Sequence, residues 1–190
     1  MTIASSALIA SLQELTREHI SFAQALQKED LTRLNWREHN NSWSMLECIA
    51  HLNRYGDFYH PAISKSLRFS ITTPATLFKS GVIGNYFVKL ITADSKMKTP
   101  KPMNPIHQEL TVAVIAEFIQ QQETMLALLE QAASFDLNRV RTSISLTKWI
   151  RLKLGDTLRF VIYHNMRHLK QIERIRNVQD RLSARSTEVI

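Results

Sequence analysis

Apolar residues recur every three or four positions in four long segments of the chain, the period of a helix that buries one stripe. In the first, Leu8, Leu12, Leu15, His19, Phe22 and Leu26 share a line, which predicts a helix from about Ser5 to Lys28. The second opens at "SMLE", a capping box in which Ser44 accepts from the Glu47 amide while Glu47 reaches back. Its stripe is Met45, Ile49, Leu52, Gly56, Tyr59 and Ile63, with His51 beside it, between Glu47 and Tyr55 at four-residue spacing. In the third, Asn104 as N-cap and Pro105 at the first helical position lead into Leu110, Val114, Phe118, Met125, Leu128 and Leu129, out to about Ser134. In the fourth, Asp156 caps and Gly155 supplies a tight approach, and the stripe runs Leu158, Val161, Asn165, His168, Ile172, Ile175. Two polar residues therefore sit in the middle of a core stripe.

The pattern breaks from Phe69 to Asn104. "PATLFKSGVIGNYFVKLI" reads as a short amphipathic helix split by Gly81 and Gly84, and "KMKTPKPMNP" reads as extended chain. An insert of that length (69–104) is expected to be a lid over a site or a dimerisation element. "FDLNRVRTSISLTKWIRLKL" reads as a second linker, and the tail, 179–190, as a segment that frays. The expectation is one all-α domain over 1–190: a four-helix bundle with a long insert between helices two and three, either up and down or with a crossover.

Composition agrees with this picture. The chain has 190 residues, 44% hydrophobic and 22% charged, enough for one sizeable core. With 4 Gly and 5 Pro, most of them between Gly56 and Pro105, the rest of the chain lacks the breakers that a strand-and-turn protein needs. The charge is +7, from 24 Lys and Arg against 17 Asp and Glu, but the positives are scattered and follow no nucleic-acid-binding motif, so nucleic acid is not the expected partner. A single cysteine, Cys48, precludes an internal disulfide, no apolar run approaches a membrane span, and the first residues lack a signal-peptide pattern. A cytoplasmic protein without a membrane partner is the expectation.

Chemistry enters with "YHNMRHLKQIERI", where His164 and His168 stand four apart on one helical face, the spacing by which a helix offers two imidazoles to one metal ion. With 7 His in the chain, chance supplies such pairs often enough that context must decide. His168 is on the inward stripe and His164 is one turn before it, and two buried neutral imidazoles without partners would cost a few kcal/mol. A divalent cation would satisfy them, given a third ligand from a facing helix. His51 is the better candidate and His19 its rival, both mid-helix. His60 lies about half a turn round from His51, His107 falls in a first turn, and His39 is in a loop.

"WSMLECIAHL" (43–52) together with "HNMRHLKQIERI" (164–175) resembles the DinB and YfiT-like superfamily of metalloenzymes, and "NPIHQEL" with the insert looks like its DinB-2 type branch. The resemblance covers roughly residues 5 to 178. It implies a four-helix bundle, often dimeric, that holds one nickel or zinc ion through His51, His164 and His168. It further implies a metal-dependent hydrolase, or a thiol S-transferase using a low-molecular-weight thiol, acting on a small molecule.

No acid or base is obliged to lie in such a site. Glu47 and Asn165 are the catalytic candidates; capping explains Glu47 better, and an interhelical hydrogen bond explains Asn165 equally well. Gln171 could orient a ligand. Cys48 reads as a buried inert thiol, Trp43, Tyr55 and Phe58 as core, and Arg167 and Arg174 as solvent-facing. Besides a metal-dependent enzyme, the competing readings are a non-catalytic, stress-linked metal-binding bundle and a basic protein associated with nucleic acid.

Overall fold

The capping box forms as the sequence predicts, and it fixes where the longest early helix starts: the Glu47 amide donates to Ser44 Oγ at 3.2 Å and the Ser44 amide to Glu47 Oε2 at 2.8 Å. The computed structural model describes residues 1–93, 98–145 and 147–187. In chain order its elements are β1 (Thr2–Ala4), α1 (Ser5–Leu26), α2 (Leu31–Asn35), α3 (Met45–Arg68), β2 (Leu77–Lys79), α4 (Val82–Thr92), a 3-10 turn (Lys101–Met103), α5 (Ala113–Ala132), β3 (Arg141–Ile144), β4 (Thr147–Lys153) and α6 (Leu154–Thr187).

The four expected helices are α1, α3, α5 and α6, and they form the bundle. Each of α1 and α3 packs on both α5 and α6, so α1 and α3 occupy opposite corners, as do α5 and α6. Only the α3 to α5 connection joins neighbours; the other two cross the diagonal. Two apolar clusters fill the interior instead of the one core expected. One contains Leu8, Leu12, Tyr59, Ile63, Met125, Leu129, Leu158 and Ile162; the other contains Ala23, Leu26, Met45, Ile49, Ile115, Phe118, Leu169 and Ile172. On every bundle helix the residues between the two clusters include buried polar ones: Thr16 and His19 on α1, His51 and Asn53 on α3, Gln122 on α5, and His164, Asn165 and His168 on α6. A polar layer thus divides the core.

The linkers depart most from expectation. The third bundle helix begins at Ala113, not at Pro105 with Asn104 as its cap, because Asn104 Oδ1 is taken by the Ile106 amide and the Trp43 indole N–H, and His107 turns the chain at φ 63°. The "KPM" part of the segment expected to be extended is a 3-10 turn, while residues 94–97 lie outside the described ones. The second linker is a β3–β4 hairpin, whose β-branched residues suit a strand; Thr142 pairs with Leu152 and Arg141 with Lys153. A second small ladder pairs β1 with β2.

Neither Gly81 nor Gly84 splits the insert helix. Gly81 precedes α4, and Gly84 lets α4 press on Asp156, whose Cγ would lie 2.3 Å from a Cβ there. Asp156 is therefore no helix cap; α6 starts two residues earlier, and the buried carboxylate accepts from Ser80 Oγ at 2.5 Å and the Gly81 amide at 2.8 Å, with Arg159 at 3.4 Å. Gly155 serves a close approach to the Phe78 ring, 2.5 Å from where a Cβ would stand. The tail expected to fray continues as helix to Thr187, and residues 188–190 lie outside the described ones.

Candidate metal centre

His164 and His168 lie one turn apart on α6, and α3, packed directly against α6, brings His51 to them. The three rings form a nearly equilateral triangle, with centroids 5.1 Å (His51 to His164), 4.6 Å (His51 to His168) and 4.7 Å (His164 to His168) apart. One nitrogen from each lies within 4.8 Å of the others, and the group could hold a metal ion. All three residues are buried.

Hydrogen bonds on the far sides of two rings set which nitrogen faces the centre. His51 Nδ1–H donates to the Met103 carbonyl at 2.7 Å, and His168 Nδ1–H donates to Gln171 Oε1 at 2.9 Å. Each bond leaves Nε2 of that ring without a proton, its lone pair available to accept or to ligate, the outer support usual for metal-ligating histidines. His51 Nε2 is 3.3 Å from His164 Nε2, and His164 Nδ1 is buried without a partner. Burial keeps the rings neutral: it pulls His51 down to about 4 and His168 to about 3, and lowers His164 as well, helped by the two neighbouring imidazoles.

These residues fit a divalent ion. Two ligands about 2.05 Å from a tetrahedral ion stand about 3.3 Å apart, the separation of the two facing nitrogens. Neutral imidazoles are the required protonation state.

Aromatic rings and a strap of chain enclose the triangle. Trp43 lies 4.8 Å from His51 and 5.8 Å from His168, Tyr55 4.3 Å from His164, and Phe160 stacks on His164 at 5.9 Å with the planes 4° apart. Trp43 is half-buried and packs against the second apolar cluster, as its core reading expects, while also meeting the histidines. The strap, residues 98–108, is tied down by Arg54 donating to the Pro102 carbonyl and Gln108, by Trp43 donating to Asn104, and by the His107 amide donating to Glu47 at 2.6 Å. None of this is written as a motif, since the key acceptor, the Met103 carbonyl, is backbone.

The other candidates are placed elsewhere. Glu47 is fully buried, and its two oxygens accept from the Ser44 and His107 amides and both arms of Arg37. Burial pushes its pKa up, but those bonds outweigh it and hold the carboxyl below its usual value. It anchors the helix start and the strap, and it is not among the converging group. Asn165 Nδ2 donates to Gln122 Oε1 at 3.0 Å, an interhelical bond between α6 and α5. Cys48 is buried and its thiol is pushed up by burial, so it is inert.

His19, the rival third ligand, is buried outside the converging group with the Gln122 side chain as its polar neighbour; burial pulls it to about 4, with Gln122 opposing. His60 is buried and also pulled to about 4, and His107 and His39 are exposed. Arg167 was expected in solvent but donates to the Ile91 carbonyl at 2.9 Å and to the Ala93 carbonyl, closing the C-terminal end of α4. Arg174 is exposed.

Among known proteins, the family model described as DinB superfamily matches residues 12–172. No curated protein and no solved structure matches the chain. Among the described residues no helix is long and apolar enough to cross a membrane.

Proposed function

Because the chain belongs to the DinB superfamily, we propose that it is a metal-dependent enzyme, a hydrolase or thiol S-transferase acting on a small molecule, with one nickel or zinc ion held by His51, His164 and His168. The observation that carries this reading is the convergence of three buried neutral imidazoles, two of them with outer hydrogen bonds that aim a lone pair inward. Three nitrogen ligands suit either metal and leave positions open, which is the catalytic rather than the structural pattern.

When bound, such an ion lowers the pKa of a coordinated water or thiol toward neutrality. The chain's own residues supply the rest. Met103 and Gln171 hold two imidazoles in the ligating tautomer, and Trp43, Tyr55 and Phe160 exclude bulk water and keep the local dielectric low. Among the described residues no carboxylate joins the three rings. The site charge with a divalent ion is then uncompensated and favours an anionic ligand, which supports a thiolate over a neutral amine. Asn165, committed to Gln122, positions α6 and takes no part in proton transfer.

A second reading, a metal-binding bundle without catalysis, draws on the near-complete burial of the three rings, which are 2%, 6% and 8% exposed. Turnover separates the two: thiol conjugation or ester hydrolysis by the metal-loaded protein, lost in His168→Ala, supports the enzyme. Full metal occupancy with no turnover over a panel of both substrate classes supports the other. The proposal also includes a cytoplasmic homodimer, to be checked by fractionation and sedimentation equilibrium.

A further inference from the structure

The insert and the hairpin, two segments that the bundle does not need, build one surface of unusual chemistry. Residues 70–93 and 137–155 together contain seven Lys and Arg and not one of the 17 Asp and Glu of the chain. The structure lays them side by side. At one end Lys153 Nζ donates to the Lys79 carbonyl at 2.6 Å, and its stem lies against Gly81 at the head of α4. Farther along α4, Phe87 lines one small cavity with Leu152 and Ile144 of the hairpin, and α4 packs beside β4.

Both elements carry apolar side chains on the outer face as well as the inner one. On α4, Gly84, Val88 and Ile91 face inward while Val82, Ile83, Tyr86 and Lys89 face outward, with Val82 90% exposed. On β4, Leu152 faces inward and the alternate positions Trp149 and Arg151 face outward, with Trp149 95% exposed. Arg141 stands opposite Lys153 on the same outer face of the hairpin. Apolar side chains ordinarily buried thus project among cations, on two segments that carry no acidic residue of their own.

We propose that this α4–hairpin face is a docking surface for an anionic lipid bilayer, the protein lying on the membrane rather than crossing it. Val82, Ile83, Tyr86 and Trp149 enter the boundary between headgroups and acyl chains, the level that Trp and Tyr favour, and Lys79, Lys89, Arg141, Arg151 and Lys153 meet the lipid phosphates. Charge complementarity selects this occupant. A second copy docked through the same face would set these cations against their own counterparts, which costs affinity. Nucleic acid would use the cations but leave the aliphatic Val82 and Ile83 without a partner. The absence of a spanning helix bears on crossing and leaves surface binding open. The inference is independent of the metal assignment, since none of these residues touches the triangle.

The test is co-sedimentation of the full chain with vesicles of phosphatidylcholine alone and of phosphatidylcholine with phosphatidylglycerol, at low and high salt. The expected result is binding to the anionic vesicles only, weakened by salt, roughly tenfold weaker in Arg151→Glu, and lost in the double variant Val82→Asp, Trp149→Glu. Circular dichroism and metal content of these variants should match the parent, so that loss of binding is not loss of fold. The proposal is overturned if the parent binds neither vesicle or both equally. It is also overturned if short duplex DNA competes the protein off the vesicles through Arg151 with no effect of Val82→Asp. Conversion of a parental dimer to monomers by Val82→Asp without any vesicle binding would overturn it too and assign the face to self-association.

Discussion

Two sets of buried imidazoles share the polar layer that divides the core, and their surroundings differ. On the α3–α6 side, His51, His164 and His168 turn nitrogens toward one point, and two of them are held from behind by oxygen acceptors. On the α1–α5 side, His19 is equally buried and equally neutral, yet no second imidazole joins it among the described residues, and its polar neighbour is Gln122, itself bonded to Asn165. Burial and a low pKa therefore do not mark a metal site. What distinguishes the candidate centre is convergence of three ring nitrogens, two of the rings fixed by a bond on the opposite edge.

The comparison breaks most sharply on metal content. His51→Ala should reduce bound nickel or zinc from about one ion per chain to a small fraction of that, as two ligands hold an ion poorly. His19→Leu should leave it unchanged. Loss in both variants, measured by elemental analysis of untagged protein, would erase the distinction between the two sets.

His19 carries a different signature, in stability against pH. Its folded pKa of about 4 lies below the unfolded value of 6.5, so between these the unfolded chain binds a proton that the folded chain refuses. Stability contributed by the neutral ring is complete above pH 6.5 and is lost as pH falls toward 4, about 3 kcal/mol in all. Urea unfolding at about pH 7 and about pH 5 should show His19→Leu losing less stability on acidification than the parent. Parallel losses would contradict the assignment of a buried neutral His19.

Smaller effects sharpen the picture. Gln171→Leu removes the bond behind His168 and should weaken metal binding about 10- to 100-fold without emptying the site, as read by chelator competition. Glu47→Gln should lower stability by about 2 kcal/mol, because it weakens the cap and leaves Arg37 short of its partner, while metal content stays near one ion. Retained metal with reduced thermal midpoint is the expected pair of results; lost turnover at unchanged stability would instead make Glu47 catalytic. Asn165→Ala, the mildest, should cost about 1 kcal/mol by orphaning Gln122 Oε1 and leave metal affinity alone.

Much of this was legible in the chain. The period of Leu8, Leu12, Leu15 and His19 marked α1, and Ser44 with Glu47 marked the start of α3, because helix stripes and caps are local features. The choice of His51 over His19 was not a local matter. Both stood mid-helix near a stripe, and both α1 and α3 pack on α6; only the level and facing of each side chain in the assembled bundle decides which one reaches His164 and His168. The resemblance carried by "AHL" and "HNMRH" pointed to the same three residues. The start of α5 was misread because Asn104 and Pro105 carry good capping chemistry that tertiary contacts redirect: Trp43 and Glu47 draw this stretch over the site as a strap. Arg167 looked solvent-facing on its helix, since nothing nearby in sequence shows that the carbonyls ending α4 would arrive there. The hairpin has a signal of its own in the alternating "VRTSI" and "WIRLKL" with their β-branched residues, which the lack of a turn glycine between them masks.

The central claim is that three imidazoles share one ion, and X-ray absorption at the nickel or zinc edge of the metal-loaded protein reads it directly. The account predicts scattering from three histidine ligands per ion in the parent, falling to two in His51→Ala under forced loading and staying at three in His19→Leu. A first shell with one histidine or with sulfur, or one unchanged by His51→Ala, would contradict it.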